Sequence, residues 1–257
     1  MVLPVVLVHG GSHGAWCWDP MLEFLDCPAL AVVLPPKRLR TGETRRVDAE
    51  LAEQLAALKI GDFADSIIAD VDRTGFDRFV LVGHSMAGLS IPEVARRIPR
   101  RVAHLVFVSA TTPPEGACVL DSLTPEIREI TRDHIERASQ EGAEASGVLD
   151  EAMARLMFCN DMDEEQTKFV LDRVCTEAVN VAVEPVTRLG VPPELPKTYV
   201  RLSRDQSLPP ELQAQMIVNL ERSPGGRVEV VEIDAGHDVM VSRPRELAAI
   251  VNEIASR

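Results

Sequence analysis

Phe79-Val80-Leu81-Val82-Gly83-His84-Ser85-Met86-Ala87-Gly88 is the stretch on which the reading of this chain turns. Its first four residues form a short apolar run, the pattern of a buried strand. A glycine follows, then a serine two places on, then small residues and a helical pattern through Val94. The spacing predicts strand, sharp turn and helix, with Ser85 at the tip of the turn. Such a turn lifts a serine hydroxyl above the sheet edge and crowds its own backbone, so small neighbours are needed. Gly83 and Gly88 meet that need. The fifth place of G-x-S-x-G is Ala87, a departure by one methyl. A helix starting near Met86 would leave unpaired N–H groups in its first turn, where negative charge is favoured. An ordinary strand, loop and helix around a buried serine would read the same way locally, so the rest of the chain decides.

Working outward, Val5 to Val8 is a continuous apolar run, the pattern of a strand covered on both faces, with Pro4 tolerable only at its start. It ends in His9-Gly10-Gly11-Ser12-His13-Gly14, a turn whose glycines let backbone N–H groups approach a ligand closely. Ala31 to Leu34 reads as a second strand, Leu105 to Val108 as a fourth, Thr198 to Leu202 as a fifth and Val228 to Ile233 as a sixth. Helical spacing covers Pro20 to Leu25, Asp48 to Thr74 with an interruption at Gly61, Glu211 to Leu220, and Pro244 to Ile254. A kink is expected at Pro92. Alternating helices and apolar strands predict a parallel sheet covered by helices.

Between Thr111 and Arg188 the alternation lapses. Thr124-Pro125-Glu126 reads as a helix start and Gly142 as that helix's end. A short helix spans Glu151 to Phe158, and Asp163 to Gln166 resembles a capping box. This strand-free block reads as an inserted cap, the plain alternative being a helical layer with no role at a site.

Composition narrows the partners. The 257 residues are 46% hydrophobic but only 4% aromatic, so an aliphatic core is affordable in one large domain, or one with an insertion. A net charge of −13 argues against nucleic acid, which needs a basic face. The one basic run, Lys37-Arg38-Leu39-Arg40 with Arg45 and Arg46, reads as a solvated loop, with guidance of an anionic substrate as the sharper alternative. Five scattered cysteines show neither C-x-x-C nor metal-ligand spacing, as in a reduced, cytoplasmic protein. No stretch reaches the ~18 apolar residues of a membrane helix, and Val5 to Val8 runs into the glycine turn without a leader-like segment.

Ligands of an open parallel sheet bind beyond the carboxyl ends of its strands. The Gly10-Gly11 turn, Ser85, Asp205 and His237 all lie just past such ends. A serine needs a base to become nucleophilic, an imidazole serves near neutral pH, and a carboxylate fixes the imidazole's tautomer. The order serine, acid, histidine is the one this kind of sheet uses. Glu115, after the fourth strand, is the alternative acid, while Asp234 and Asp238 flank His237 too closely to orient it easily. His9 and His84 read as loop-orienting. His104 and His134 read as structural or solvated. His13 either lines the pocket or braces the glycine turn, and Met157 and Phe158 are either pocket wall or plain core.

Four ordered motifs carry a resemblance. Val8 to Trp18 resembles the oxyanion loop of the plant methylesterase and hydroxynitrile lyase branch of the α/β-hydrolases. Gly83 to Gly88 resembles its nucleophile elbow, Asp205 to Gln213 its acid loop, and Gly236 to Pro244 its histidine loop. The match is loose across the insertion, around Phe158 to Asp161. The resemblance implies an α/β-hydrolase fold: a six-stranded, mostly parallel sheet with helices on both faces, a core of residues 1–110 and 189–257, and a helical cap over residues 111–188. It implies catalytic Ser85, Asp205 and His237, backbone oxyanion donors at Gly11 and Met86, and no cofactor. Gly10, His13, Met157 and Phe158 are the candidate substrate contacts. The expected activity is hydrolysis of a small-molecule carboxylic ester (methyl, aryl or lactone), with no membrane or nucleic-acid partner and room for a homodimer. The rivals are a hydroxynitrile lyase on the same triad and a ligand-binding receptor on the same fold. Lyases of this branch carry threonine where this chain has Gly10 and lysine where it has Asp238, which argues against the first.

Overall fold

The computed structural model describes residues 2–41, 47–122, 128–129 and 150–257. Its centre is a six-stranded sheet in the order β2-β1-β3-β4-β5-β6. The strands are β1 (Val5–Val8), β2 (Ala29–Val32), β3 (Phe79–His84), β4 (Val102–Val108), β5 (Lys197–Leu202) and β6 (Glu229–Ile233). Every neighbouring pair is parallel. β2 forms two residues before the predicted Ala31–Leu34.

Period-two side-chain alternation divides the apolar strands between two cores. Val6, Val8, Leu81, Leu105 and Phe107 face one layer, which includes α3 (Ala49–Ala57), α4 (Ile60–Thr74), α5 (Ile91–Arg97) and α8 (Pro210–Glu221). Val5, Leu7, Val80, Val82 and Val106 face the other, with α1 (Asp19–Leu22), α9 (Val239–Ser242) and the C-terminal α10 (Pro244–Ser256). Both faces of the sheet are therefore covered by helices, as the apolar runs predict.

Two predicted helix details are corrected. The break between α3 and α4 falls at Leu58 and Lys59 rather than Gly61, because the Asp62 carboxylate accepts the Lys59 N–H at 2.8 Å and starts α4 there. Pro92 does not kink a helix. A 3-10 turn over Ser85–Leu89 precedes α5, and Pro92 falls in the first turn of α5, where its missing N–H costs nothing.

Between β4 and β5 the described residues form no strand. They include α6 (Glu151–Phe158) and α7 (Glu164–Leu171), the latter begun by the predicted capping box between Asp163 and Gln166. Apart from Arg128 and Glu129, which are helical, the predicted helix from Thr124 to Gly142, and with it His134, lies outside the described residues, as do Arg45 and Arg46. No helix among the described residues is long and apolar enough to cross a membrane.

The strand order positions the site. The chain passes from β1 to β2 on one side and then to β3 on the other, so the loops after β1 and β3 diverge at a topological switch point. Val8 pairs with Gly83 across the ladder, so the glycine turn and the Ser85 turn begin side by side.

Candidate active site

Ser85 follows β3 with φ +54°, a left-handed conformation that non-glycine residues rarely adopt. The packing that imposes it is visible at Gly83, where a Cβ would lie 2.9 Å from Ile91 and 3.2 Å from the Ala87 methyl. Glycine is needed at 83, and the room it leaves is what accommodates alanine at the fifth position of the motif. Thr111 N–H bonds the Ser85 carbonyl at 3.0 Å, tying the turn to the end of β4.

His237 lies beyond β6 and Asp205 beyond β5, on neighbouring strands. Asp205 is fully buried, and each of its oxygens accepts two hydrogen bonds. Oδ1 takes the Ser207 and Leu208 N–H groups, both at 2.8 Å. Oδ2 takes Ser109 Oγ at 2.6 Å and His237 Nδ1 at 2.7 Å. Burial opposes its charge, but His237, Ser109 and the Leu208 amide outweigh that and hold the carboxyl below its usual 3.8. Because Nδ1 donates to Asp205, the neutral His237 ring presents the lone pair of Nε2 to Ser85 Oγ, 3.1 Å away. Burial opposes charge on this imidazole too, yet Asp205 overcomes it and raises the ring above 6.5.

The alternative acid is elsewhere. Glu115 is exposed and accepts from Thr187 Oγ1 and Arg188 N–H at 2.6 and 2.8 Å. Asp238 pairs with His13 rather than with a nitrogen of His237.

The glycine turn is held by its carbonyls from four directions. His9 Nδ1 donates to Gly10 O at 2.8 Å, and His13 Nδ1 lies 2.6 Å from Gly11 O. Cys175 N–H bonds Ser12 O at 2.9 Å, and Arg40 Nη1 bonds His13 O at 3.0 Å. Glu177 accepts the Ser12 N–H at 2.5 Å and reaches Arg40 Nη2 at 3.3 Å. His9 Nε2 accepts the Leu34 N–H, which fixes its tautomer, and burial followed by the nearby Arg40 charge keeps that ring neutral.

Two expectations are corrected here. Arg40 is not part of a solvated loop: it belongs to a short helix, α2 (Lys37–Arg40), and is 2% exposed. His13 does not line the cavity beside Ser85. It lies buried behind the glycine turn and braces it.

That cavity, of about 320 Å³, is bounded by Gly11, Ser85 and Met86 at its floor. Met157 and Phe158 from α6 line it, so both are pocket wall, and Phe158 also stacks on His237 with ring centroids 5.9 Å apart. Gly10 does not line that cavity but is packed against Ser85 and His84; a Cβ there would lie 2.7 Å from Ser85 Cβ and 3.1 Å from the His84 carbonyl oxygen. Sequence reading missed Ser109, Glu177 and Met216. Ser109 alone had a signal, a serine directly after a strand's carboxyl end.

Among the described residues, the one grouping with metal-ligand proximity is His84, His237 and Asp238. His237 already has both ring nitrogens engaged, with Asp205 and Ser85, which leaves only His84 and Asp238 of the three to offer a ligand atom to an ion.

Comparison with known proteins agrees with this fold. The model of the alpha/beta hydrolase family matches residues 5–250. Methylesterase 7 of Arabidopsis thaliana is 27% identical over 264 residues, covering 98% of this chain and 96% of the relative. The probable esterase PIR7A of Oryza sativa subsp. indica is 28% identical over 273 residues, with 98% and 96% covered. Among solved structures, an extracellular alpha/beta-hydrolase from a Paenibacillus species superposes with a TM-score of 0.77 at 18% identity, covering 98% of each chain.

Proposed function

The chain belongs to the alpha/beta hydrolase family, and on that premise we propose that it hydrolyses carboxylic esters through Ser85, His237 and Asp205. The observation that carries this reading is the unbroken relay from Asp205 Oδ2 through both nitrogens of His237 to Ser85 Oγ. His237 Nε2 takes the Ser85 proton as Oγ attacks the ester carbonyl. The charge on the resulting oxyanion is met by the N–H groups of Gly11 and Met86. The His237 proton then passes to the leaving alcohol, giving an acyl-serine. Water, deprotonated by the same nitrogen, attacks that acyl group and releases the acid.

The insertion, residues 111–188, acts as a cap in this reading, with Met157 and Phe158 closing the cavity. The cavity wall is mainly thioether and hydrocarbon, from Met86, Val119, Met157, Phe158, Leu212 and Met216. It suits an ester with a compact, uncharged, apolar acyl or alcohol part. A methyl or aryl ester fits, and the name of the Arabidopsis relative, a methylesterase, points to the first of these.

The test is a panel of p-nitrophenyl and methyl esters of graded acyl length, run beside a fluorophosphonate label. Turnover of short esters is expected, with Ser85 the labelled residue. Ser85→Ala should lose both labelling and ~10⁴–10⁶ of kcat. A folded alanine variant that keeps its turnover would remove the serine mechanism. Tight binding of esters without any turnover would favour the receptor reading.

A further inference from the structure

Asp238 and His13 form a buried pair that the relay does not use. His13 Nε2 lies 2.8 Å from Asp238 Oδ2, and the two residues are 1% and 0% exposed. The other ring nitrogen, Nδ1, lies 2.6 Å from the carbonyl oxygen of Gly11. A carbonyl can only accept, so Nδ1 must carry a proton. A second proton must lie between Nε2 and Oδ2, since two lone pairs would otherwise face each other at 2.8 Å. Placed on the ring, that proton makes Nε2 the donor and Asp238 Oδ2 the acceptor. Asp238 agrees: burial opposes its charge, but His13 outweighs that and holds it below its usual value. Asp238 Oδ1 has no hydrogen-bond partner among the described residues, so His13 is the group that compensates this buried carboxylate.

We infer that His13 is a positioning residue, a buried imidazolium held by Asp238, which pins the Gly11 carbonyl and so locks the backbone after Gly11, holding in place the Gly11 N–H that His9 orients through the Gly10 carbonyl. This inference rests on the ester-hydrolase reading for its catalytic consequence. Gly11 has no side chain to restrict its backbone, and it follows another glycine. The peptide plane before its Cα is held by His9 at Gly10 O, and the plane after it by His13 at Gly11 O. With both planes fixed, the N–H direction is fixed before substrate arrives, which is what electrostatic preorganisation requires. The ring is itself clamped, stacked on Trp16 at 5.2 Å and edge-on to Phe158 at 4.9 Å. Because α6 supplies Phe158, the insertion helps to hold the same ring that holds the loop.

Two measurements test this. The first is the ¹⁵N spectrum of the histidine rings at neutral pH. It should show both His13 nitrogens protonated in the wild-type protein, and a single protonated nitrogen would overturn the inference whether or not any ester is cleaved. The second is the steady-state kinetics of His13→Phe/Asp238→Leu, which removes both charges together so that neither is left buried alone. Deleting an oxyanion donor outright costs ~10²–10³ in kcat, so a misaimed one should cost about 10-fold or more with KM little changed. Asp238→Asn, whose amide can still donate to Nε2, should lose the doubly protonated signature yet recover most of that kcat. A natively folded double variant with wild-type kcat, or one changed only in KM, would refute the positioning role. Failure of the wild-type protein to cleave any ester would count against the hydrolase reading instead, and the nitrogen spectrum would still decide the state of the pair.

Discussion

His84 donates from Nε2 to the main-chain carbonyl of His237 across 3.0 Å, so the residue before Ser85 holds the loop that carries His237. Burial, followed by the neighbouring His237, pushes the His84 ring down to about 3, and it stays a neutral single donor. The two loops come from β3 and β6, strands that are not neighbours in the sheet. With the Ser85–His237 hydrogen bond, the His84 bond spans the gap that the ladder does not.

His84→Leu should therefore leave the His237 carbonyl buried and unpaired, at a cost of about 1–3 kcal/mol. Urea denaturation measures the loss, and kcat should fall with it as the base loses its register against Ser85. His84→Gln keeps an N–H of similar reach and should recover part of both. Unchanged stability and turnover in the leucine variant would show that the bond is dispensable.

The two candidate acids separate cleanly. Asp205→Asn keeps the volume and much of the hydrogen bonding but reverses the polarity at His237 Nδ1, and should lower kcat by about 10⁴. Glu115→Gln alters an exposed contact with Thr187 and Arg188 and should stay within about 2-fold of wild type. The opposite pattern would mean that the relay seen here is not the working one.

The pH profile follows from the sign of the His237 shift. The base must be neutral to accept the Ser85 proton, and Asp205 favours its charged form against burial. kcat/KM should fall as pH drops through the raised value, giving an acid limb centred above 6.5. Asp205→Asn removes the main raising charge, so the limb of its residual activity should move to lower pH. A limb that stays put, or moves upward, contradicts the assignment.

Lyase chemistry is testable at Gly10. A threonine there would put its Cβ 2.7 Å from Ser85 Cβ and 3.1 Å from the His84 carbonyl. Asp238 faces His13 and offers departing cyanide no positive charge. Wild-type protein should release no cyanide from mandelonitrile above a Ser85→Ala blank. Gly10→Thr should lose esterase activity by displacing the nucleophile, without gaining lyase activity. Enzyme-dependent cyanide release would reopen the lyase reading.

Arg40 is a stability determinant. Its buried guanidinium reaches the His13 carbonyl, Cys175 Sγ and Glu177, three groups in two loops. Arg40→Met leaves Glu177 without its cation and should cost about 3–5 kcal/mol in a denaturant titration. Arg40→Met/Glu177→Met removes both charges and should regain much of that. Arg40→Lys should not rescue, because one ammonium cannot span the fork's separate acceptors. A lysine variant as stable as wild type would disprove this account.

Local sequence determined those features whose physics is local. Unbroken apolar runs specify strands covered on both sides, and their alternation with helical spacing specifies a parallel sheet. Glycines around Ser85 specify a turn too crowded for side chains. The positions of Asp205 and His237 just past strand ends specify one edge, so the members of the relay were legible before any geometry was known. Tertiary structure alone decided the partners. Arg40 reads as solvated in a basic run, and only the return of the chain at Cys175 and Glu177 buries it. His13 and Asp238 are 225 residues apart, and nothing near either announces the other. Ser109 becomes a partner of Asp205 only because β4 and β5 lie side by side. A buried charge needs a compensating group at hydrogen-bond distance, and spacing along the chain does not encode which distant residue supplies it. Folding brings that residue into place.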